Sequence, residues 1–189
     1  MPPLNWSIIL GDSRFNLNLF KYDEKADSPN IFATEMFSIT QHDDIRTAQY
    51  KNMICSKNLI KKLLTAYQND SITIRTESKY LDASISSFIV APNPLFNTTD
   101  GKVDFKGRTR DIYNLIRGVA APFPGAFAYV GSEEGAKITI WKAHPFDEMI
   151  DFSGYAPGEV VDIFDSKLVV RTVDGSLLID EYECDGDIK

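Results

Sequence analysis

Histidine and cysteine, two residue types that often carry out proton transfer and nucleophilic attack, occur only twice each in this sequence. The two histidines are His42, which precedes a long helical pattern, and His144, which lies in a β-rich region. Imidazole suits proton transfer near neutral pH, but neither histidine stands in a recognisable catalytic context. We expect both to be exposed or structurally bonded. Cys55 falls on the apolar side of a predicted helix, which favours a buried free thiol over a disulfide.

Two charged segments are the other candidates. The segment from Tyr22 to Asn30 carries three acidic residues and Pro29, which predicts a loop. A lone aspartate in a loop is usually a turn former or a helix cap. A basic cluster follows, at Lys102, Lys106, Arg108, Arg110 and Arg117. It is large enough to hold a phosphate-sized anion, although a solvated helix face is the favoured interpretation.

Composition limits the class of protein. The 189 residues are 43% hydrophobic, enough for a real core in one large or two small domains. The net charge of −7 disfavours a large nucleic-acid surface, because binding a polyanion requires clustered Lys and Arg. No apolar run approaches ~20 residues and the N-terminus lacks a signal pattern. We expect no membrane partner and a cytoplasmic location.

The clearest local pattern is a helix that ends in a proline corner. Its apolar residues recur at helical spacing, at Ile112, Leu115, Ile116 and Val119. Thr109 is the predicted cap, so the helix is placed over 109–118. Pro122 and Pro124 end the helix, and Gly125 permits the turn into a strand from Ala126.

Other elements follow from the same periodicities. The run from Pro3 to Leu10 is either a strand, by its apolar residues, or a short helix started by the prolines. The longest helix is predicted from Asp43 or Asp44 to Asn69, where Cys55, Leu59 and Leu63, flanked by Ile60, Leu64 and Tyr67, form one buried stripe. Strands are predicted at 17–22, 31–39 and within 71–90, and a linker at 91–101. Five further short strands, at 126–130, 138–141, 159–163, 168–171 and 177–182, fit a small β-barrel.

The amino-acid sequences of several segments resemble those of the formyltransferase family that uses formyltetrahydrofolate as donor. The central match is Asn114-Leu-Ile-Arg117 followed by Pro122-Phe-Pro-Gly-Ala-Phe127 and Lys137-Ile-Thr-Ile-Trp-Lys142. Pro3-Leu-Asn-Trp-Ser-Ile-Ile-Leu-Gly11 and Tyr22-Asp-Glu-Lys-Ala-Asp27 match upstream, and Pro157-Gly-Glu-Val-Val161 and Asp174-Gly-Ser-Leu-Leu-Ile179 match downstream. The resemblance implies an α/β fold: a partial Rossmann-like formyltransferase domain over 1–100, then a C-terminal OB-like barrel over 101–189.

That resemblance also implies a catalytic role and a cofactor. Formyl transfer passes through a tetrahedral oxyanion, which needs hydrogen-bond donors and a base. The family uses an Asn-x-His pair with an aspartate that supports the histidine. Asp27 aligns with that aspartate, and the loop bordering formyltetrahydrofolate aligns with Asp23, Glu24, Lys25, Ala26 and Asp27. No metal is implied.

Departures from the family pattern weaken the catalytic prediction. Pro29 stands where the family has Gly, and Pro fixes φ and removes an N–H donor. Asn16 replaces another family Gly, a milder change. The Asn-x-His pair is absent, since the family's first half of the catalytic domain would precede Met1. An upstream start, a separate chain and a truncated non-catalytic relative all remain open.

The resemblance favours, among acceptors, the amine of a nucleotide-linked amino sugar, as in UDP-aminoarabinose formyltransferase. Methionyl-tRNA is the less favoured alternative, and a binding or assembly module without catalysis is the third. Strands 17–22 and 31–39 would leave an open sheet edge with apolar residues at Leu17, Leu19, Ile31 and Phe32. We therefore predict a homo-oligomer, or pairing with a chain that carries the missing half.

Overall fold

The computed structural model describes residues 3–21, 30–76, 98–131 and 135–185. The chain divides into two compact units. The first, called here the C-terminal unit, comprises Met1–Asp12, His42–Arg46 and Leu95–Lys189, and the second, the sheet–helix unit, comprises Ser13–Gln41 and Thr47–Pro94. The domain bounds predicted above, 1–100 and 101–189, stay a prediction.

The sheet–helix unit contains a small antiparallel sheet. Strands β1 (Arg14–Lys21) and β2 (Asn30–Ser38) pair along their length, and β3 (Arg75–Thr76) pairs with the start of β2. The first two strands confirm the elements predicted at 17–22 and 31–39. All pairings among the described strands of this sheet are antiparallel, so a parallel Rossmann-like sheet is not confirmed there. The predicted strand at 85–90 lies outside the described residues.

Helix α2 (Ile45–Gln68) confirms the long predicted helix but not its single buried stripe. Cys55 and Leu59 are buried, and burial raises the pKa of the free Cys55 thiol, with a smaller contribution from Glu35. Ile60, Leu64 and Tyr67 are 53%, 57% and 74% exposed, so that part of the prediction was wrong. Ile60 and Leu64 each stand five residues after a buried residue, about 140° around the helix, and so face away from it.

The C-terminal unit holds the rest of the regular structure. Helix α1 (Pro3–Ile9) and a 3-10 turn (Thr98–Gly101) precede α3 (Thr109–Val119). Five strands follow: β4 (Ala126–Tyr129), β5 (Lys137–Asp147), β6 (Val160–Phe164), β7 (Lys167–Arg171) and β8 (Ser176–Cys184). They confirm the five predicted strands and form one antiparallel sheet in the order β4-β5-β8-β7-β6. The described strands do not close, so the predicted barrel is not confirmed.

The core of this unit lies between α3 and the sheet. Ile112, Ile116 and Val119 of α3 are almost fully buried, as their spacing predicts. They pack in one cluster with sheet residues that include Ile140 and Leu177. Burying an aliphatic side chain of this size contributes about 1.5–3 kcal/mol. The cluster therefore fixes α3 on the sheet and sets the direction of its remaining side chains.

Helix α1 packs on the last turn of α3 through a glycine. The Asn5 side-chain amide donates to the Gly118 carbonyl at 2.8 Å. A Cβ atom at Gly118 would lie 2.7 Å from Ile9 Cγ1, so a larger residue would push the helices apart. This contact ties the start of the chain to α3.

The cap of α3 differs from the prediction. Thr109 is the first helical residue, and the N-cap position is Arg108, which makes no side-chain capping bond. The Asp174 carboxylate, in the turn between β7 and β8, instead accepts from the Thr109 backbone N–H and hydroxyl, both at 2.8 Å. The Thr109 hydroxyl also lies 2.6 Å from the buried Thr172 hydroxyl. The helix is capped from the sheet because an acidic turn residue reaches its N–H end.

We expect Asp174→Asn to destabilise the C-terminal unit by about 1 kcal/mol, the usual value of an N-terminal cap. Burial raises the pKa of Asp174, but the hydrogen bonds from Thr109 outweigh burial and the net pKa is lowered. A lowered pKa stabilises the fold above the unfolded-state value of about 3.9 and loses that contribution as pH falls through the folded-state pKa.

Urea unfolding monitored by tryptophan fluorescence measures this effect, since both tryptophans, Trp6 and Trp141, lie in the C-terminal unit. The difference between Asp174→Asn and wild type should shrink below pH 4. Asp151→Asn is the control, because the Asp151 carboxylate accepts from the Ser153 N–H within its own exposed turn and does not cap a helix. An equal loss in both variants would contradict the capping role.

Candidate functional site

The residues predicted to border a folate lie outside the described part of the chain. These are Asp23, Glu24, Lys25, Ala26 and the catalytic candidate Asp27, together with Pro29. The described residues fix only the two ends of their segment. Lys21, the last residue of β1, is the ladder partner of Asn30, the first residue of β2. The segment that carries Asp27 therefore connects two adjacent strand ends.

The other departure from the family pattern has an ordinary place in the fold. Asn16 lies within β1, opposite Met36 of β2. Its φ is not among the positive values of the described residues. Asn16 consequently needs no glycine-like conformation, and its substitution for Gly costs no backbone strain.

A cavity of about 650 Å³ opens in the C-terminal unit. Residues 42–46, the buried side of α3, the proline corner and strands β5 and β8 line it. The lining side chains are those of His42, Asp43, Asp44, Arg46, Tyr113, Ile116, Arg117, Ala120, Ala121, Trp141, Lys142, Ala143, His144, Asp180, Glu181 and Glu183. Its size is in the range of small-molecule sites. This cavity brings together both histidines and one member of the basic cluster.

Arg117 is the most constrained of these side chains. It is 8% exposed, so the prediction of a solvated basic face was wrong for this residue, although Lys102, Lys106, Arg108 and Arg110 are exposed. Its Nε and Nη2 donate to Asn114 Oδ1 at 3.0 and 2.8 Å, and its Nη1 donates to the Asp43 carbonyl at 2.7 Å. Burial lowers the pKa of Arg117, while Tyr113 and Asp43 oppose that shift.

The sequence contains one signal for this arrangement. Asn114 and Arg117 are three residues apart, so their side chains meet on one face of a helix. The carbonyl of Asp43 comes from a segment 74 residues earlier, and no local pattern indicates that contact. The Arg117 guanidinium also lies 5.3 Å from the Tyr113 ring centroid, within the range of a cation–π contact.

A second polar group lies on the sheet side of the cavity. His144 Nδ1 is 2.7 Å from Asp180 Oδ2, and Lys167 Nζ is 2.9 Å from Asp180 Oδ1. Burial raises the pKa of Asp180, but the hydrogen bonds from Lys167 and His144 outweigh it and leave the pKa lowered. The prediction of a structurally bonded histidine is confirmed for His144. Its carboxylate-supported ring could accept a proton at the cavity, the only chemistry this pair offers by itself.

The charges in the cavity indicate which ligands suit it. Its lining carries five carboxylates, from Asp43, Asp44, Asp180, Glu181 and Glu183. Three permanently cationic side chains oppose them, and one, Lys142, pairs with Glu181 at 3.6 Å. A polyanion is disfavoured here, whereas a neutral or amine-bearing ligand can place its apolar part against Trp141.

The described ranges contain neither a metal-binding cluster nor a membrane-spanning helix. Among those residues, no group of three or more His, Cys, Asp and Glu side chains could hold a metal ion. No helix in the same ranges is long and apolar enough to cross a bilayer.

Solved structures of HypX and of two sugar N-formyltransferases share the fold of this chain. HypX from Aquifex aeolicus, in complex with tetrahydrofolic acid, matches 93% of this chain with a TM-score of 0.66 and 19% identity. An N-formyltransferase from Helicobacter canadensis, in complex with folinic acid and dTDP-3-aminofucose, matches 93% with a TM-score of 0.61 and 16% identity. WlaRD, a sugar 3N-formyl transferase crystallised with dTDP and 5-N-formyl-THF, matches 98% with a TM-score of 0.62 and 16% identity.

At these identities the likeness is one of fold. This chain spans 28% of the length of HypX, 59% of the Helicobacter canadensis enzyme and 60% of WlaRD. The model of the formyl transferase C-terminal domain matches residues 96–188, which contain α3, the proline corner and all five strands of the second sheet. The family predicted from the sequence is confirmed over this half: residues 96–188 match the model of the formyl transferase C-terminal domain.

Proposed function

We propose that this chain takes part in the transfer of a formyl group from a folate-type donor to the amine of a nucleotide-linked amino sugar. The observation that carries the proposal is the likeness of fold over 93–98% of the chain to proteins solved with folate compounds. Two of them were solved with dTDP or a dTDP-linked amino sugar. The family match over 96–188 supports the same class of reaction.

In this proposal the donor side of the site is the segment between β1 and β2. Residues 23–27 border the folate, and the Asp27 carboxylate supports a histidine. The Asn-x-His pair that completes the site is absent from this chain, so it must come from another polypeptide segment. The described chain contributes the hairpin ends that hold the segment and the C-terminal unit, whose five strands we infer to be the family's OB-like barrel.

The acceptor is the amino sugar rather than methionyl-tRNA. A chain with a net charge of −7 and a cavity lined by five carboxylates repels a polyanion. A nucleotide-linked amino sugar carries one amine and the two negative charges of its diphosphate, far fewer negative charges than a tRNA. The tRNA alternative would require a strongly salt-dependent affinity, which filter binding at two salt concentrations measures directly.

We expect the purified chain to bind 5-formyltetrahydrofolate without turning over. Isothermal titration calorimetry measures the binding, and a formylation assay with a dTDP-linked amino sugar measures the turnover. In this proposal the Asp27 carboxylate, at the border of the folate, also accepts a hydrogen bond from it. Asp27→Asn should therefore weaken folate binding by about tenfold or more, since a hydrogen bond to a charged group contributes about 1.5–3 kcal/mol. Asp151→Asn, in an exposed turn, should leave it unchanged.

Three results decide among the candidate functions. Absence of folate binding would contradict the donor assignment and favour a binding or assembly module without catalysis. Formylation by this chain alone, abolished by Asp27→Asn, would contradict the need for a supplied Asn-x-His pair. Tight tRNA binding that falls steeply with salt would favour methionyl-tRNA over the amino sugar as the acceptor.

A further inference from the structure

Helix α2 is apolar on two opposite sides. The buried side includes Ala48, Cys55 and Leu59. The other side is a line of exposed residues that we call the outer stripe, formed by Tyr50, Met53, Lys57, Ile60, Leu64 and Tyr67. The five apolar members are each more than half exposed, at 62%, 56%, 53%, 57% and 74% in chain order. They are too many and too regular for isolated surface hydrophobics.

The spacing of the outer stripe is that of a helix-docking seam. Its positions advance by alternating steps of three and four residues, the a and d positions of a heptad repeat. They extend over 17 residues, or about 26 Å of helix at the usual rise. A helix with apolar residues on opposite sides is typical of one packed between two layers. The sheet of the sheet–helix unit is one such layer for α2. The outer stripe, on the other side of the helix, faces solvent.

The charges on α2 indicate the partner. The helix contains five basic residues and no Asp or Glu. Lys51 donates to the Ser38 carbonyl, and Lys62 pairs with Glu35, so these two are directed toward the unit's own sheet. Lys57 and Lys61 are exposed at the outer stripe. Two copies of α2 packed along this stripe would bring lysines together without any acidic residue to offset them, which disfavours self-pairing.

The position of Lys57 distinguishes a helical partner from a bilayer. It occupies the middle of the stripe, between Met53 and Ile60. In a membrane surface the centre of the apolar face lies at the acyl boundary, where an ammonium group is costly. In a helix pair, a single lysine at an a position sets register and is matched by an acidic residue across the seam.

We propose that the outer stripe of α2 docks an acidic amphipathic helix of a partner polypeptide. The partner places apolar residues against Tyr50, Met53, Ile60, Leu64 and Tyr67, and Asp or Glu residues against Lys57 and Lys61. The interaction adds a protein–protein surface on the sheet–helix unit and makes no use of the cavity or of residues 23–27. It does not depend on the proposed enzymatic function.

The experiment uses two fluorescent synthetic peptides of four heptads, each with Leu at a and d. One has Glu at e, g and one central a position, and the other has Lys at the same places. Fluorescence anisotropy with the full chain should show micromolar binding of the Glu peptide, and at least tenfold weaker binding of the Lys peptide. Leu64→Ser should weaken the binding of the Glu peptide by about tenfold or more, as expected when a leucine that is buried in the complex is lost.

Met149→Ser is the control variant, since Met149 is 92% exposed and belongs to the other unit. It should bind the Glu peptide as wild type does, and both variants should keep the wild-type circular dichroism spectrum. Equal binding of the two peptides would overturn the proposal. So would stripe-dependent dimerisation in light scattering, or binding to phosphatidylserine vesicles that Leu64→Ser abolishes while the Glu peptide fails to bind.

Discussion

Arg117→Met is expected to lower the free energy of unfolding of the C-terminal unit by about 2–5 kcal/mol, because it leaves two buried acceptors without donors and each such loss costs about 1–3 kcal/mol. Methionine fills much of the same volume but donates no hydrogen bonds. The change leaves Asn114 Oδ1 and the Asp43 carbonyl without the donors at 2.7–3.0 Å that satisfy them. Asn114 is 4% exposed, so water does not readily replace the lost donor. Urea unfolding followed by tryptophan fluorescence measures the loss.

The matched control is Arg110→Met on the same helix. Arg110 is exposed and lies 5.8 Å from the same Tyr113 ring, so it shares the cation–π contact but not the buried bonds. Its loss should cost less than about 1 kcal/mol. A double-mutant cycle with Asn114→Ala should give strong coupling, since each residue satisfies the other. Equal effects of Arg110→Met and Arg117→Met would refute the proposed importance of the buried bonds.

Gly125→Ala is expected to destabilise the same unit by about 2–4 kcal/mol, combining backbone strain with overpacking. Gly125 has φ +84°, a conformation that alanine adopts at a cost. An added Cβ would lie 2.8 Å from Thr139 Cγ2 and 2.9 Å from Trp141 Cζ3. Both partners lie on β5, so the clash would displace the strand that forms one wall of the cavity.

Gly131→Ala separates the two contributions. Gly131 has a similar φ of +73°, but no atom lies within 4 Å of the added Cβ. Gly131→Ala should be destabilised by backbone strain alone, which costs about 1 kcal/mol. If the two alanine variants unfold at the same urea concentration, the packing of Trp141 under the proline corner does not limit stability.

Local periodicity was sufficient to predict the elements but not their contacts across the fold. Helix α3 and the five strands after it follow from apolar spacing and turn residues, because both signals lie within a few residues. The cap of α3 does not, since Asp174 and Thr109 are 65 residues apart. Arg117 was assigned to a solvated helix face together with the rest of the basic cluster. Its burial involves residues 42–46, where it donates to the Asp43 carbonyl, and no local pattern indicates that contact.

The candidate site likewise contains features that the sequence indicates and features that only the fold brings together. The family resemblance, and not any pattern of charge or period, singled out Asp27, and its segment lies outside the described residues. The cavity was not predicted, because its lining comes from four separate stretches of the chain, within 42–46, 113–121, 141–144 and 180–183. The outer stripe of α2 was present in the sequence as a second apolar line, but one helix pattern cannot tell which of two lines is buried.

The cap supplied by Asp174 has a consequence for the order of biosynthesis. On the ribosome, α3 emerges 65 residues before the side chain that satisfies its first N–H group. Until the turn between β7 and β8 is made, the helix depends on its own weak propensity, which for 11 residues is marginal in water. The turn between the last two strands thus completes α3, which precedes all five strands of this sheet. Long-range native contacts must therefore form before either the helix or the sheet is stable. A chain cut short before Asp174 would release an unfinished helix along with an unfinished sheet.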